Sequence, residues 1–193
     1  AWPVFEAAFR EYGLPRAIRT DNGPLFATTS IHGLSKLSVW WMRLGIQHQR
    51  ITPGMPSENG AHERMHRSLK RRAIRPARAT MTAQQRAFNA FRAEYNDERP
   101  HESLAMETPA SQYTHSPRSY PARLPVPEYP GHYTVKQITT GGTFRFAHRV
   151  LYLANALTGE LVGMDEVDDG VWWIYFGTTL IATLDERNYI IKE

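Results

Sequence analysis

Val4 or Phe5, Ala8, Phe9 and Tyr12 recur at helical spacing, and Gly13 with Pro15 ends that run in the manner of a helix C-terminus. The pattern then shortens. Ala17 to Thr20 predicts a strand, Asp21-Asn22-Gly23-Pro24 a turn, and Leu34, Leu37, Trp40, Trp41 and Leu44 a second helix closed by Gly45. Residues 46–51 predict a further strand whose polar side chains imply partial burial. Strand and helix thus alternate, as in an α/β layer. Pro53-Gly54-Met55-Pro56-Ser57-Glu58 cannot continue a strand and predicts a mobile loop. Asn59 is placed to cap the helix that follows, where Ala61, Met65, Leu69 and Ala73 lie four apart and form an apolar stripe ending before Pro76. Another helix, over about residues 82–95, puts Phe88, Phe91 and Tyr95 on one side as core.

From Ser116 to Pro130 the chain holds Pro117, Pro121, Pro125, Pro127 and Pro130, too many for a helix or a central strand, so residues 116–131 read as a linker. Beyond it come short β-like segments at 133–139, 143–153, 161–164, 171–176, 180–184 and 189–191, with turns at Gly141-Gly142, Thr158-Gly159 and Asp169-Gly170. Strands at this spacing predict a small barrel. The chain therefore divides into 1–115, a linker 116–131 and a β domain 132–193. Trp40-Trp41 and Trp172-Trp173 are adjacent pairs, of which a strand would turn one member outward; Trp172 or Trp173 is then a stacking platform or part of a subunit interface.

Composition narrows the classes. At 193 residues and 41% hydrophobic content the chain can bury a sizeable core in one or two domains. No apolar span reaches the length of a membrane helix and nothing at the N-terminus reads as a signal peptide, which implies no membrane partner. The absence of cysteine removes disulfides and thiolate zinc sites and fits a cytoplasmic protein. The net charge of +4 hides an asymmetry: residues 1–110 carry sixteen Lys/Arg against ten Asp/Glu, whereas 111–193 carry seven against nine. Between Glu63 and Arg92 there are nine cations and one carboxylate, a density that asks for a polyanion such as nucleic-acid phosphate, the alternative being a solvated basic helix face. The chain opens on Ala with a helix already under way, and so reads as a fragment.

Two acids stand in notable surroundings. Asp21 follows the predicted strand 17–20, and Glu63 lies early in the basic helix, off its apolar stripe. A strand end and a helix face can present carboxylate oxygens to a hard divalent cation, and such sites perform phosphoryl-transfer chemistry. Each has a plainer reading: a turn aspartate for Asp21, and for Glu63 a helix-dipole partner or an ion pair with Arg67. Glu58 competes with Glu63 but falls in the loop. His62-Glu63-Arg64-Met65-His66 also satisfies His-Glu-x-x-His, so a zinc hydrolase with two imidazole ligands and Glu63 as base is a rival, opposed by the cations crowding this helix and by the lack of a clear third ligand.

Arg19-Thr20-Asp21-Asn22-Gly23-Pro24-Leu25-Phe26, Gly45-Ile46, Pro53-Gly54-Met55-Pro56, Asn59-Gly60, Glu63-Arg64-Met65-His66-Arg67-Ser68-Leu69-Lys70, Tyr95-Asn96-Asp97-Glu98-Arg99-Pro100-His101, Thr108-Pro109-Ala110 and Tyr113 occur in one order over more than half the chain. Together they resemble the integrase-type (DDE) transposases of bacterial insertion sequences, with a retroviral-integrase-like catalytic core. The resemblance implies a ribonuclease-H-like α/β core, here partial and lacking its first strands, followed by a small all-β SH3-like barrel. It implies a Mg²⁺ (or Mn²⁺) two-metal site in the intact parent, to which Asp21 and Glu63 contribute the second and third acids. The first acid would lie on an earlier strand, so the fragment alone is expected to be inactive. Without those strands the remaining pair is marginal, and the expectation is an exposed sheet edge, self-association, or helices buried by the β domain.

The same resemblance makes DNA the partner, with Arg64, Arg67, Lys70, Arg71, Arg72, Arg75 and Arg78 on its phosphates. It also implies a homo-oligomer on DNA, no small-molecule substrate, and a bacterial cytoplasmic, nucleoid-associated location. Asn22, Asn59, His66, Asn96, Arg99 and His101 are substrate groups or structural ones; for the last three a polar network fixing the turn at Pro100 is the structural choice. Residues 132–193 hold five basic against eight acidic side chains, with Asp165, Glu166, Asp168 and Asp169 clustered, which favours protein contact over DNA contact for the barrel. The runner-up is a non-catalytic DNA-binding or assembly module from a decayed or domesticated transposase.

Overall fold

The computed structural model describes residues 1–193 except 24, 25, 27–30 and 53, so Pro24-Leu25 and Pro53 of the quoted motifs lie outside the described residues. Two compact units emerge, one of residues 1–50 with 116–193 and one of 51–115.

In the first unit, helix α1 (Trp2–Tyr12) leads into strand β1 (Ala17–Thr20), helix α2 (Lys36–Arg43) and strand β2 (Gln47–Arg50). β1 and β2 pair in parallel, with Ile18 opposite His48 and Thr20 opposite Arg50. The helix and strand expectations hold closely here. Phe5 rather than Val4 is the packed choice in α1, since Val4 is 72% exposed. α2 starts at a reciprocal cap in which the Ser35 hydroxyl accepts from the Ser38 amide and Ser38 Oγ accepts from the Ser35 amide, so both buried serines are satisfied. It ends because Gly45 takes a left-handed conformation, φ 64°, that costs glycine little.

All five residues from Leu37 to Trp41 are buried, so α2 is covered around its whole circumference. Leu37, Trp40, Trp41 and Leu44 join Phe9, Leu14 and Ile46 in one core, while Leu34 and Val39 join a second core built by the C-terminal strands. This corrects the idea that one tryptophan of the first pair faces out. Both are inside, Trp41 wedged edge-on against Phe5 at 5.0 Å and His48 at 5.2 Å.

The proline-rich stretch 116–131 forms neither helix nor strand, as expected, but it is bound along the unit as a strap. The Leu14 amide donates to the Arg118 carbonyl at 2.7 Å, and Ser116 Oγ donates to the Leu14 carbonyl at 2.6 Å. The Arg118 guanidinium donates to the carbonyls of Pro15 (3.1 Å), Leu44 and Gly45 (3.1 Å). Arg43 completes the attachment, donating to Pro125 O at 3.0 Å and pairing with Glu160 at 3.3 Å. Further on, the Tyr129 ring lies against Gly163, where a Cβ would come within 2.3 Å of it. Its hydroxyl lies 2.8 Å from the Leu161 carbonyl and accepts from the Gly177 amide at 3.1 Å.

The β domain consists of β3 (Thr134–Gln137), β4 (Thr143–Phe146), β5 (Arg149–Tyr152), β6 (Leu161–Asp168), β7 (Val171–Phe176), β8 (Thr179–Asp185) and β9 (Ile190–Lys192). An antiparallel sheet of order β3-β6-β7-β8-β9 faces the β4-β5 hairpin across a shared core of Ile138, Phe144, Leu153, Val162, Met164, Ile174, Phe176 and Leu184. The single segment expected over 143–153 is two strands, because Ala147 at φ 48° reverses the chain beside His148. Trp172 is partly buried with its indole N–H on Glu186 at 3.0 Å, whereas Trp173 is the outward member of that pair.

The second unit holds α3 (Gly60–Leu69), which runs on through a wider π-type turn at Lys70–Ile74, and α4 (Met81–Ala93), similarly extended at Glu94–Glu98, followed by the short α5 (Pro109–Gln112). Thr80 caps α4, accepting from the Ala83 amide. Of the expected stripe, Met65, Leu69 and Ala73 turn inward but Ala61 is exposed. An apolar groove of about 390 Å³ runs between Met65, Leu69, Phe88, Phe91 and Tyr95.

Because Arg118 satisfies three carbonyls at the ends of elements, Arg118→Ala is expected to cost about 1.5–3 kcal/mol, the range for bonds from a charged donor. Arg118→Lys should recover little of it, since an ammonium lacks the planar fork. Urea denaturation of the three proteins reads this directly, and an unchanged midpoint in Arg118→Ala would show that the strap is not a structural element.

Candidate active site

β1 ends at Thr20, and the chain turns immediately at Asp21. The turn is an Asx type: Asp21 Oδ1 accepts from the Gly23 amide at 3.0 Å, which orients the carboxylate and leaves Oδ2 without a protein partner among the described residues. The Thr20 hydroxyl donates to the Asp21 carbonyl at 2.9 Å and lies 2.8 Å from His48 Nε2. Burial first, and then the Arg50 charge, hold the His48 imidazole below its ordinary pKa, which keeps it neutral near pH 7. Thr20 and His48 were not picked out from the sequence. The signal available was the polar content of the strand at 46–51, which already implied half-burial.

Glu63 sits in the first turn of α3, exposed, with no hydrogen bond or ion pair among the described residues. The pair with Arg67 offered as its plainer explanation does not form, which leaves the helix-dipole role and the chemical one. Glu58, the competing acid, is committed elsewhere: its carboxylate accepts from the Thr52 amide at 3.0 Å and the Thr52 hydroxyl at 2.9 Å, closing the loop before α3. Asn59 precedes α3 but its side chain does not cap the helix; its amide lies 3.4 Å from His62 Nδ1. A 3₁₀ turn, Pro56–Asn59, feeds the helix instead and supplies its first bends.

His62 and His66 pack ring to ring, centroids 4.2 Å apart. Burial, then His62 and Lys70, lower the His66 pKa. Among the described residues no group of three or more His, Cys, Asp or Glu side chains could hold a metal ion, so the zinc-hydrolase alternative gains no third ligand. Asp21 and Glu63 belong to different units, and each has its own surroundings. Their donor chemistry, exposed carboxylate oxygens, fits a hard divalent cation such as Mg²⁺.

The seven basic residues from Arg64 to Arg78 are all exposed. Arg72 is distinguished from the others by its partner: it donates to Glu94. In the Tyr95 to His101 block the structural choice accounts for two residues. Arg99 donates to Ser68 Oγ at 3.3 Å, tying this turn to α3, and lies over the Tyr95 ring at 5.6 Å. His101 lies edge-on to Tyr95 at 4.7 Å, with Nε2 3.3 Å from the Tyr95 carbonyl, and its backbone bridges to Glu107. Asn96 lines the apolar groove, and Asn22 follows Asp21 in the exposed turn.

Residues 44–109, which include Glu63, the basic helix and the Tyr95 to His101 block, match the integrase core domain family. The chain is similar to integrase core domains over that stretch and to proteins of bacterial insertion elements. It is 36% identical over 128 residues to a 39.2 kDa protein of insertion element IS476 from Xanthomonas euvesicatoria, covering 66% of this chain and 34% of that protein. It is also 30% identical over 108 residues to a 31.7 kDa protein of insertion element IS407 from Burkholderia multivorans, covering 55% of this chain and 37% of that protein. The matched region thus spans about a third of the length of these curated relatives. A simian T-cell lymphotropic virus intasome chain, solved in complex with PP2A regulatory subunit B56 gamma, aligns over 91% of this chain and 60% of its own at 17% identity; its TM-score of 0.44 is too low to carry an argument. Among the described residues no helix is long and apolar enough to cross a membrane.

Glu63→Gln should change stability by less than about 1 kcal/mol, the size of an exposed helix-dipole interaction. Glu58→Ala, by contrast, should speed hydrogen exchange at the Thr52 amide. Thermal unfolding of the first and exchange mass spectrometry of the second separate an acid held for chemistry from one held for a loop.

Proposed function

We propose that the chain is the distal part of a ribonuclease-H-like integrase core joined by its strap to an SH3-like barrel, and that the whole protein is a DNA transposase. The observation that carries this reading is the integrase core match across residues 44–109, within which Glu63 is an exposed carboxylate that packing does not explain. The reaction is phosphodiester cleavage and strand transfer, the attack of water or a DNA 3′-hydroxyl on a phosphodiester with departure of the opposite 3′-oxygen. Asp21 and Glu63 supply carboxylate oxygens for divalent cations, and an upstream strand of the whole protein supplies the first acid. When bound, the ions neutralise phosphate charge and activate the attacking oxygen.

The chain's own residues do the rest. The Gly23 amide fixes one oxygen of Asp21, leaving the other directed outward. Arg64, Arg67, Lys70, Arg71, Arg75 and Arg78 hold DNA by its phosphates, which positions the duplex without reading its sequence. The protein works as a homo-oligomer on DNA in the bacterial cytoplasm, without a small-molecule substrate. The second reading, a non-catalytic DNA-binding or assembly module, is favoured by the exposed cations of residues 64–78, which need no acid beside them to hold phosphate.

Each cation that touches phosphate should contribute about 0.9 to the slope of log affinity against log salt. Arg67→Ala with Arg71→Ala is expected to flatten that slope by nearly two such steps, and Arg72→Ala, whose guanidinium Glu94 already occupies, by much less. Fluorescence anisotropy with labelled duplex across a salt series measures both. In the whole protein, Asp21→Asn and Glu63→Gln should each lower Mg²⁺-dependent nicking by about a hundredfold or more, the scale of losing a transition-state charge partner. Nicking that survives both substitutions with duplex binding intact would favour the non-catalytic reading.

A further inference from the structure

The strongest unassigned feature is the buried polar chain beneath Asp21. Thr20 is 7% exposed, one of few polar side chains inside the unit, and its hydroxyl has two neighbours: the Asp21 carbonyl at 2.9 Å and His48 Nε2 at 2.8 Å. A hydroxyl carries one proton. A carbonyl can only accept, so that proton goes to Asp21 O, and the contact with His48 is satisfied only if Nε2 donates. The imidazole is therefore protonated on Nε2, and the order of donors runs from His48 Nε2–H to Thr20 Oγ1 and from Thr20 Oγ1–H to Asp21 O. The direction holds for the neutral ring and for the imidazolium alike, since both can carry that proton.

The backbone explains why these residues meet. β1 and β2 are parallel with Ile18 opposite His48, so His48 and Thr20 lie on one face a single diagonal step apart. Trp41, itself without exposure, stands edge-on to the ring at 5.2 Å and closes one side of it. Asp21 is thus restrained at both ends: its carbonyl by the Thr20 hydroxyl, and its Oδ1 by the Gly23 amide at 3.0 Å. Fixing the carbonyl direction holds ψ at Asp21 and the peptide plane that follows, which places the Gly23 amide that in turn holds the carboxylate.

We propose that His48 and Thr20 are positioning residues for Asp21, a donor chain reaching from the second strand to the first that sets the direction in which the Asp21 carboxylate meets its cation. The proposal rests on the reading of Asp21 as a metal-binding acid. It predicts a specific tautomer for His48, a dependence on the hydroxyl but not on the methyl of Thr20, and a cation affinity at Asp21 that responds to both.

The test uses the full 193-residue chain with Mn²⁺ alone as the probe. Long-range ¹⁵N–¹H spectra should show His48 protonated on Nε2 at neutral pH, and Mn²⁺ should broaden the Gly23 amide first. Thr20→Val, which keeps the shape and removes the hydroxyl, should displace the Gly23 amide resonance and weaken Mn²⁺ broadening there by about tenfold, the low end for losing an outer partner of a metal ligand. Thr20→Ser should restore both, and His48→Phe should behave as Thr20→Val. The Trp41 indole resonance reports whether each variant keeps its core; if Thr20→Val loses it, the comparison of wild type with Thr20→Ser and the wild-type tautomer still decide. His48 protonated only on Nδ1, or undiminished broadening in folded Thr20→Val, would overturn the positioning role while leaving Asp21 as a cation ligand. No broadening near Gly23 in the wild type would overturn the Asp21 reading, and the positioning role with it.

Discussion

Two parallel strands of four residues each cannot bury their own faces, and everything in the first unit answers that shortage. A sheet of this size is marginal in water, and parallel pairs are ordinarily covered on both sides. Here the cover is α2, a helix enclosed on every side, whose Trp40 and Trp41 serve one core while Val39 serves the other. The two indole N–H groups find no hydrogen-bond partner among the described residues, so these two rings are held by packing and aromatic contact rather than by polar satisfaction. The C-terminal strands are consequently part of what makes the first fifty residues foldable. Val39 and Leu34 share a core with Phe144 and Ile174, and Arg43 spans from α2 to Glu160.

That dependence explains what could and could not be read from the chain. Periodicity located α1, β1, α2 and β2 almost to the residue, because each is amphipathic or short and bounded by Gly13, Gly45 or the Asp21 turn. It could not show that α2 is buried all round, since a helix packed between two cores and a helix at a surface differ by a few positions only. The proline stretch was legible as irregular, but its attachment was not: the bonds of Arg118 run to carbonyls more than seventy residues away in sequence, and no local pattern encodes them. The break at Ala147 was missed for a related reason, because a left-handed alanine gives none of the signal that a glycine turn gives.

The candidate site divides in the same way. Glu63 reads in the sequence as an acid without a packing reason, and it has neither ion pair nor hydrogen bond among the described residues, whereas Asp21 reads as a turn aspartate and sits in an Asx turn. The fate of Glu58 could not be foreseen, since its bonds to Thr52 depend on how the loop folds back. Arg99 and His101 looked equally suited to substrate or to structure. Their contacts with Ser68 and Tyr95 give them a structural task in α3 and its neighbour.

Charge follows this division of labour. The basic run lies in the unit of residues 51–115, whereas Asp165, Glu166, Asp168 and Asp169 gather at the β6–β7 turn of the other. The acids there are partly spent locally: Glu166 accepts from the Gly170 amide and Asp168 from the Asp169 amide, so they shape a hairpin as well as repel a polyanion. Clustered surface charge needs no particular fold, whereas the Asp21 turn requires two strands in fixed register. The unit that carries the turn is accordingly the one with the two hydrophobic cores, and the unit that carries the cations is the one with the open groove.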